Sequence, residues 1–177
     1  MENFLKKEVG TSAVSTGPAD GRQLIELLWE VPPVRPAVLI VLGHMEEADE
    51  RIRLVRDKNW LSRAKLDERS QKEKEAWDEP RSIILLMACD SAATSLKTVN
   101  NFVIAFNTAG AAAVVGTECI VASQLAAQFA QHVSIAMLKD HLRLGTAITE
   151  FRRASLQRGN PLAFVFNAIG DVDLRIQ

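Results

Sequence analysis

The sequence has few of the residues that build disulfide frameworks and metal sites. Its 177 residues include only two cysteines, Cys89 and Cys119, and three histidines. No CxxC pair occurs, and cysteine and histidine are nowhere clustered at the spacing of zinc ligands, so we expect neither a metal nor a cofactor. Two cysteines are too few for a disulfide framework, which favours a reducing, cytoplasmic location.

An excess of one charge and long apolar segments are also missing. The formal net charge is −1, so the charge balance indicates neither a nucleic-acid partner nor an anionic membrane partner. No apolar run approaches the roughly 18 residues of a membrane span, and the opening MENFLKKEVG lacks the apolar core of a secretory signal. The motifs GxSxG, GxxxxGK[ST] and GxGxxG after a strand are absent, which weakens the serine-hydrolase and nucleotide-binding alternatives.

The composition that remains is typical of one globular domain, with 47% hydrophobic and 24% charged residues. Residues 1–19 carry Gly, Ser, Thr and Pro without periodicity, and we expect a flexible lead-in there. The domain is expected over residues 20–177, beginning with a helix that Asp20 caps and that ends near Glu30. More than half of residues 46–81 are charged, with both signs mixed, which predicts a charged helical insertion.

Apolar runs alternate with helical patterns along the rest of the chain. Continuous apolar runs predict strands that are buried on both faces, and apolar residues at three- and four-residue spacing predict helices. This alternation favours an α/β fold with a mostly parallel sheet, right-handed crossovers and helices on both faces. The predicted strands are 37–42, 83–88, 111–116 and 162–166, and the predicted helices begin near 95, 123 and 145.

Two of these strands end in residues that carry chemistry. Ligands of open parallel sheets bind outside the carboxyl ends of the strands, where the first run ends in Gly43-His44 and the second in Cys89-Asp90. If the two strands are neighbours, the His44 imidazole stands beside the Cys89 thiol. The imidazole can then accept the thiol proton and so activate the sulfur as a nucleophile, as in a cysteine peptidase. Backbone N–H groups of Cys89 and Met45 are candidates for the oxyanion site. A buried cysteine is also a common small apolar residue, and the residues alone leave both readings open.

Several segments together resemble one family. Residues 85–92, LLMACDSA, resemble the L-x-A-C-x-S strand-to-loop motif of CHAT domains, and residues 106–117, FNTAGAAAVVGT, resemble their F-x-x-A-G-A-x-x-V-V-G-T segment. AAQF at 126–129, a helix with AI at 147–148 and RRA at 152–154, and the closing stretch from Pro161 to Asp171 follow in the family's order. The resemblance spans residues 37–173.

CHAT domains belong with caspases, separases and gingipains, so the resemblance implies a caspase-like sheet and a cysteine endopeptidase. It implies a dyad of His44 and Cys89, a protein or peptide substrate, and a regulatory helical-repeat module, sensor module or second copy as partner. Asp90 and Glu118 are candidate acids of a substrate pocket. No strand is evident in residues 1–36, so we expect the family's first strands to be missing.

Two further function classes stay open. Met45 follows His44 where the family usually has glycine, and this favours a catalytically inactive CHAT-like interaction or scaffold domain, or a fragment of a larger sensor-peptidase. A small-molecule α/β enzyme that uses the same strand ends is the third alternative.

Overall fold

A computed structural model describes residues 37–46, 51–54, 60–72, 82–88 and 102–176. The lead-in expected over 1–19 and the helix expected from Asp20 to Glu30 lie outside these residues. In chain order the elements are β1 (Val38–Glu46), β2 (Arg51–Leu54), β3 (Trp60–Ser62), α1 (Arg63–Lys72), β4 (Ile83–Ala88), α2 (Phe102–Thr108), β5 (Ala113–Thr117), α3 (Ser123–Leu138), α4 (Leu144–Gln157), a 3₁₀ helix (Pro161–Val165) and β6 (Phe166–Gly170).

The described strands form one six-stranded sheet in the order β3-β2-β1-β4-β5-β6. The central strands β1, β4 and β5 are parallel, whereas β2, β3 and β6 each pair antiparallel with their neighbour. Four of the six strands, β1, β3, β4 and β5, therefore run in the same direction. The expected α/β class with a mostly parallel sheet is confirmed at this level.

The central strand β4 explains why the sheet is covered on both faces. All six of its residues are apolar and buried, and side chains of a strand alternate between the two faces. Ile84 and Leu86 pack into one apolar core, whereas Ile83 and Leu85 pack into the other. A strand that is apolar at every position needs cover on both sides, and the expected helices on both faces are confirmed.

Each core is closed by a different pair of helices. The first core takes Leu66 from α1 together with the apolar face of α2, whose Phe102 and Phe106 are fully buried. The second core takes the apolar faces of α3 and α4. At its centre the rings of Phe129 and Phe166 stack with centroids 4.0 Å apart, and Phe151 meets Phe129 edge-on at 5.2 Å. These rings join α3, α4 and β6 to each other.

The charged stretch 46–81 differs from the helical insertion that its composition predicts. Its described part contains the strands β2 and β3, and only Arg63–Lys72 is helical. The sequence of β2, Arg-Ile-Arg-Leu, alternates charged and apolar residues, which is the pattern of a half-buried strand. Ile52 and Leu61 are completely buried in the first core. Their burial outweighs the charge of the surrounding residues, because each strand needs only one apolar face.

The strand predicted over 162–166 is wrong. Pro161–Val165 is a 3₁₀ helix, and the strand β6 begins only at Phe166 and runs antiparallel to β5. Asn160 caps the 3₁₀ helix, because its side-chain oxygen accepts the N–H of Leu162 at 3.1 Å. Leu162 and Phe164 are about half exposed, so the apolar run is not a doubly buried strand.

Candidate functional site at the carboxyl ends of the strands

The parallel strands β1, β4 and β5 bring their carboxyl ends to the same edge of the sheet. In the described residues this edge carries the end of β1, Ala88 at the end of β4 and Thr117 at the end of β5. Of the two residues proposed from the sequence, His44 lies in β1, and Cys89 follows Ala88 in the chain. Cys89 and Asp90 themselves lie outside the described residues.

The register between β1 and β4 determines which residues lie side by side at this edge. The two strands are parallel neighbours, and their Cα partners run from Val38–Ile83 to Gly43–Ala88. The last pair therefore consists of the residues that directly precede His44 and Cys89. The condition that the dyad requires, that the histidine strand and the cysteine strand are neighbours, is therefore met. The dyad itself stays a prediction.

The strand β1 is longer than its apolar run predicts. It continues to Glu46 and pairs antiparallel with β2, so that the backbone of His44 lies opposite Arg53 and that of Met45 opposite Ile52. The sequence predicted a strand that ends at residue 42, whereas the described backbone stays extended to Glu46. The role of the Met45 N–H in an oxyanion site stays a prediction, now for an amide within a strand.

Thr117 is a residue of this edge that the sequence reasoning did not select. Its side chain is completely buried, and its hydroxyl Oγ1 donates a hydrogen bond of 2.7 Å to the carbonyl oxygen of Ala88. The bond connects β5 to the last described residue before Cys89. The signal in the sequence was a hydroxyl residue at the end of the apolar run that forms β5, in the segment Val115-Gly116-Thr117.

The neighbourhood of Thr117 is held in place from β6 and α4. Thr117 is the Cα partner of Phe166, and the carbonyl oxygen of Phe166 accepts a hydrogen bond from the guanidinium of Arg152. The same guanidinium donates to Asn167 Oδ1 at 2.9 Å. Arg152 therefore ties α4 to the first residues of β6, and we assign it a structural role.

Of the two candidate pocket acids, only Glu118 lies in the described part of the chain. It follows β5 directly and is exposed, while its backbone N–H donates to the carbonyl oxygen of Val165 at 3.0 Å. The backbone is thus anchored and the carboxylate is accessible from solvent. This combination suits a residue at the rim of a pocket, and it suits an ordinary surface acid equally well.

The remaining cysteine and histidines lie in structural surroundings. Cys119 is half-buried and packs against the second core. His132 is half-buried on α3 with its ring centroid 5.6 Å from that of Phe151. His141 is exposed, and its Nδ1 lies 3.1 Å from the carbonyl oxygen of Ile176.

Within the residues that the structure describes, no group of three or more His, Cys, Asp and Glu side chains is placed to hold a metal ion. No helix in the described ranges combines the length and the apolar character needed to cross a membrane. Comparison with models of known protein families and with curated proteins gave no match to this chain.

Proposed function

We propose that the chain is a cysteine endopeptidase of the CHAT, caspase-like type, with His44 and Cys89 as its catalytic dyad. The observation that carries the proposal is the parallel pairing of β1 and β4, whose last Cα partners are Gly43 and Ala88. Each of these residues directly precedes one member of the dyad. The resemblance of residues 85–92 and 106–117 to CHAT motifs supports the same assignment.

The pairing of β1 with β4 also fixes which side chains of the two strands share a face of the sheet. Partner residues of β1 and β4 share a face, because Val41 and Leu86 pack into the first core, while Leu42 and Met87 pack against the second. Side chains of a strand return to the same face every second residue. Leu42 and Met87 thus share one face, and each stands two residues before a member of the proposed dyad in the sequence.

The proposed reaction is hydrolysis of a peptide bond in two steps. The Cys89 thiol gives its proton to the His44 imidazole and its sulfur attacks the scissile carbonyl carbon. Backbone N–H groups of Cys89 and Met45 stabilise the oxyanion. The C–N bond breaks, the imidazolium protonates the leaving amine, and a thioester remains. Water, deprotonated by His44, then attacks the thioester, which releases the carboxylic acid and restores the thiol.

The remaining parts of the proposal concern substrate and context. We propose a protein or peptide substrate, with Glu118 and Asp90 as acids near its binding groove, and a cytoplasmic location. A sensor module, a helical-repeat module or a second copy of the chain is the proposed regulator. The chemistry needs neither metal nor cofactor, since nucleophile, base and oxyanion donors all come from the chain.

The test is active-site labelling followed by peptide mapping. The purified chain is incubated with a panel of peptidyl chloromethyl ketones that differ in the residue before the ketone, and mass spectrometry identifies the modified cysteine. We expect labelling at Cys89, because a thiolate beside an imidazole is the better nucleophile. Replacing His44→Ala is expected to slow labelling strongly while leaving the far-ultraviolet circular dichroism spectrum unchanged.

The chain provides a matched control in its second cysteine. The variant Cys119→Ala removes a half-buried thiol and is expected to keep full labelling, whereas Cys89→Ala is expected to abolish it. Labelling that persists in Cys89→Ala, or that moves to Cys119, contradicts the proposal.

A second candidate function is a non-catalytic interaction domain on the same fold. It is favoured by the course of β1, which continues through Met45 as a strand residue paired opposite Ile52, where the first proposal needs a backbone N–H that points at a substrate. Under this alternative, iodoacetamide alkylates Cys89 no faster than it alkylates free N-acetylcysteine, and no ketone of the panel labels it. Faster alkylation that depends on His44 excludes the scaffold reading.

A further inference from the structure

The strands β4 and β5 are joined by a side chain at the edge where the proposed site lies. Their last Cα partners are Leu85 and Val115. Both strands continue beyond this pair, to Ala88 and Thr117 respectively. There the buried Thr117 hydroxyl donates its 2.7 Å hydrogen bond to the Ala88 carbonyl oxygen. A side-chain hydrogen bond thus links the two strands past the end of their Cα pairing.

The Ala88 carbonyl belongs to the peptide unit that leads into the proposed nucleophile. A peptide unit is planar and trans, so its N–H is antiparallel to its C=O and both turn together. The N–H of this unit is the backbone amide of Cys89, which is the proposed oxyanion donor. A hydrogen bond that holds the carbonyl end therefore restricts the direction of the amide end.

We infer that Thr117 is a positioning residue of the active site, which aligns the Cys89 amide with the developing oxyanion by holding the Ala88 carbonyl. The inference rests on the proposed function. Thr117 is suited to this task, because its own backbone is fixed in the β5–β6 ladder opposite Phe166 and its side chain is fully buried. Accepting a hydrogen bond at the carbonyl also polarises the peptide unit and strengthens its N–H as a donor.

A positioning role and a purely structural role predict different kinetics. Peptide hydrolysis passes through a tetrahedral oxyanion, whereas alkylation of a thiol by iodoacetamide is a displacement at carbon that forms none. If Thr117 aligns the oxyanion donor, loss of its hydroxyl slows hydrolysis and leaves alkylation unchanged. If Thr117 only supports the fold around Cys89, both reactions of the thiol change together.

The experiment compares Thr117→Val with wild type in the full chain, using a fluorogenic peptide built on the best labelling sequence. We expect kcat to fall about 10- to 100-fold, because a misaligned donor loses part of the two to three orders of magnitude that one oxyanion donor contributes. KM and the rate constant of Cys89 alkylation by iodoacetamide are expected to stay at their wild-type values. Thr117→Ser keeps the hydroxyl, and its kcat is expected to be close to that of the wild type.

A matched control removes another hydroxyl that bonds to a backbone carbonyl. Thr149 donates to the Gly145 carbonyl at 2.8 Å on the exposed side of α4, and Thr149→Val is expected to keep wild-type kcat. If Thr117→Val does not fold, Thr117→Ala provides a second variant. Alanine lacks the hydroxyl and also lacks the methyl group that valine puts in its place.

Three results overturn the inference, and they differ from failure of the proposed function. Unchanged kcat in a hydroxyl-free variant contradicts it, as does a parallel fall of kcat and alkylation rate. A kcat of Thr117→Ser that is as low as that of Thr117→Val contradicts it as well. In all three cases the wild type is active and Cys89→Ala is inert, whereas a wild type that neither hydrolyses peptides nor reacts with the ketones refutes the proposed function and the positioning role together.

Discussion

Gly170 ends β6 in a backbone conformation that residues with a Cβ atom rarely adopt. Its φ is +110°, and a Cβ atom added there would lie 2.6 Å from the carbonyl oxygen of Ala112 and 2.9 Å from the Cα of Ala113. Both contacts are with backbone atoms, so a side-chain rotation cannot relieve them. The same carbonyl accepts the N–H of Asp171 at 2.9 Å, and any movement of β6 away from β5 strains this hydrogen bond.

The expected cost of Gly170→Ala combines two terms. The positive φ costs an L-residue about 1–2 kcal/mol, and forcing extra atoms into a packed region costs about 1–3 kcal/mol. Alanine also restricts the unfolded chain, which offsets about 0.4–1 kcal/mol of this cost. We therefore expect Gly170→Ala to lower the free energy of unfolding by about 1–5 kcal/mol.

Gly159 is the matched control for the conformational term. Its φ is +75°, but an added Cβ would have no atom within 4 Å. Gly159→Ala has the cost of the positive φ without the steric cost, so about 0–1.6 kcal/mol of destabilisation remains after the offset. Urea unfolding, followed by circular dichroism, gives the free energy of unfolding of both variants. Equal destabilisation by the two substitutions would refute the reasoning, because it would leave no energetic effect for the contacts of Gly170 with β5.

Two further predictions concern the second core. Phe129 is fully buried and stacks on Phe166, so Phe129→Ala is expected to lower the free energy of unfolding by about 3–5 kcal/mol in the same assay; a loss below that range contradicts the central place of the ring cluster. Ser134 is 1% exposed, and its hydroxyl has no hydrogen-bond partner in the described part of the chain. Ser134→Ala is therefore expected to leave stability unchanged or to raise it by about 1 kcal/mol, and a clear loss of stability would indicate a partner for this hydroxyl.

These stability predictions also support the functional tests. A variant of the proposed site that loses activity is informative only when its fold is intact, and urea unfolding of Thr117→Val checks this directly. The buried Ala88 carbonyl loses its 2.7 Å donor in that variant, so we expect about 1–3 kcal/mol of destabilisation. Thr117→Ser keeps the donor and is expected to be closer to wild type in both stability and kcat.

Local patterns in the sequence were sufficient for the elements that are strongly periodic or continuously apolar. The predicted strand 83–88 agrees with β4, and the helices expected near 123 and 145 agree with α3 and α4. Six apolar residues in a row favour a strand covered on both faces, and an apolar stripe with a 3.6-residue period favours a helix with one apolar face. The α/β class follows from their alternation.

Elements with weaker local patterns were decided by tertiary contacts. The charged segment that contains β2 has only a short alternation, and its strand exists because Ile52 reaches the first core beside β1. The run at 162–166 is apolar, yet Asn160 and Pro161 start a 3₁₀ helix there and shift the strand to Phe166–Gly170. Burial against the first core therefore decides β2, whereas the cap of Asn160 and the pairing of Phe166–Gly170 with β5 decide the structure of the apolar run.

For the candidate site too, the sequence supplied one part of the description and the tertiary structure supplied the other. The sequence alone supplied the residue types, a histidine and a cysteine that each follow an apolar run, and the CHAT resemblance that suggests a dyad. Only the tertiary structure decided that β1 and β4 are parallel neighbours with Gly43 opposite Ala88, and that Thr117, 29 residues further on, donates to the Ala88 carbonyl. Register and long-range hydrogen bonds depend on how whole strands pair, and this pairing is set by the packing of both cores rather than by any local pattern.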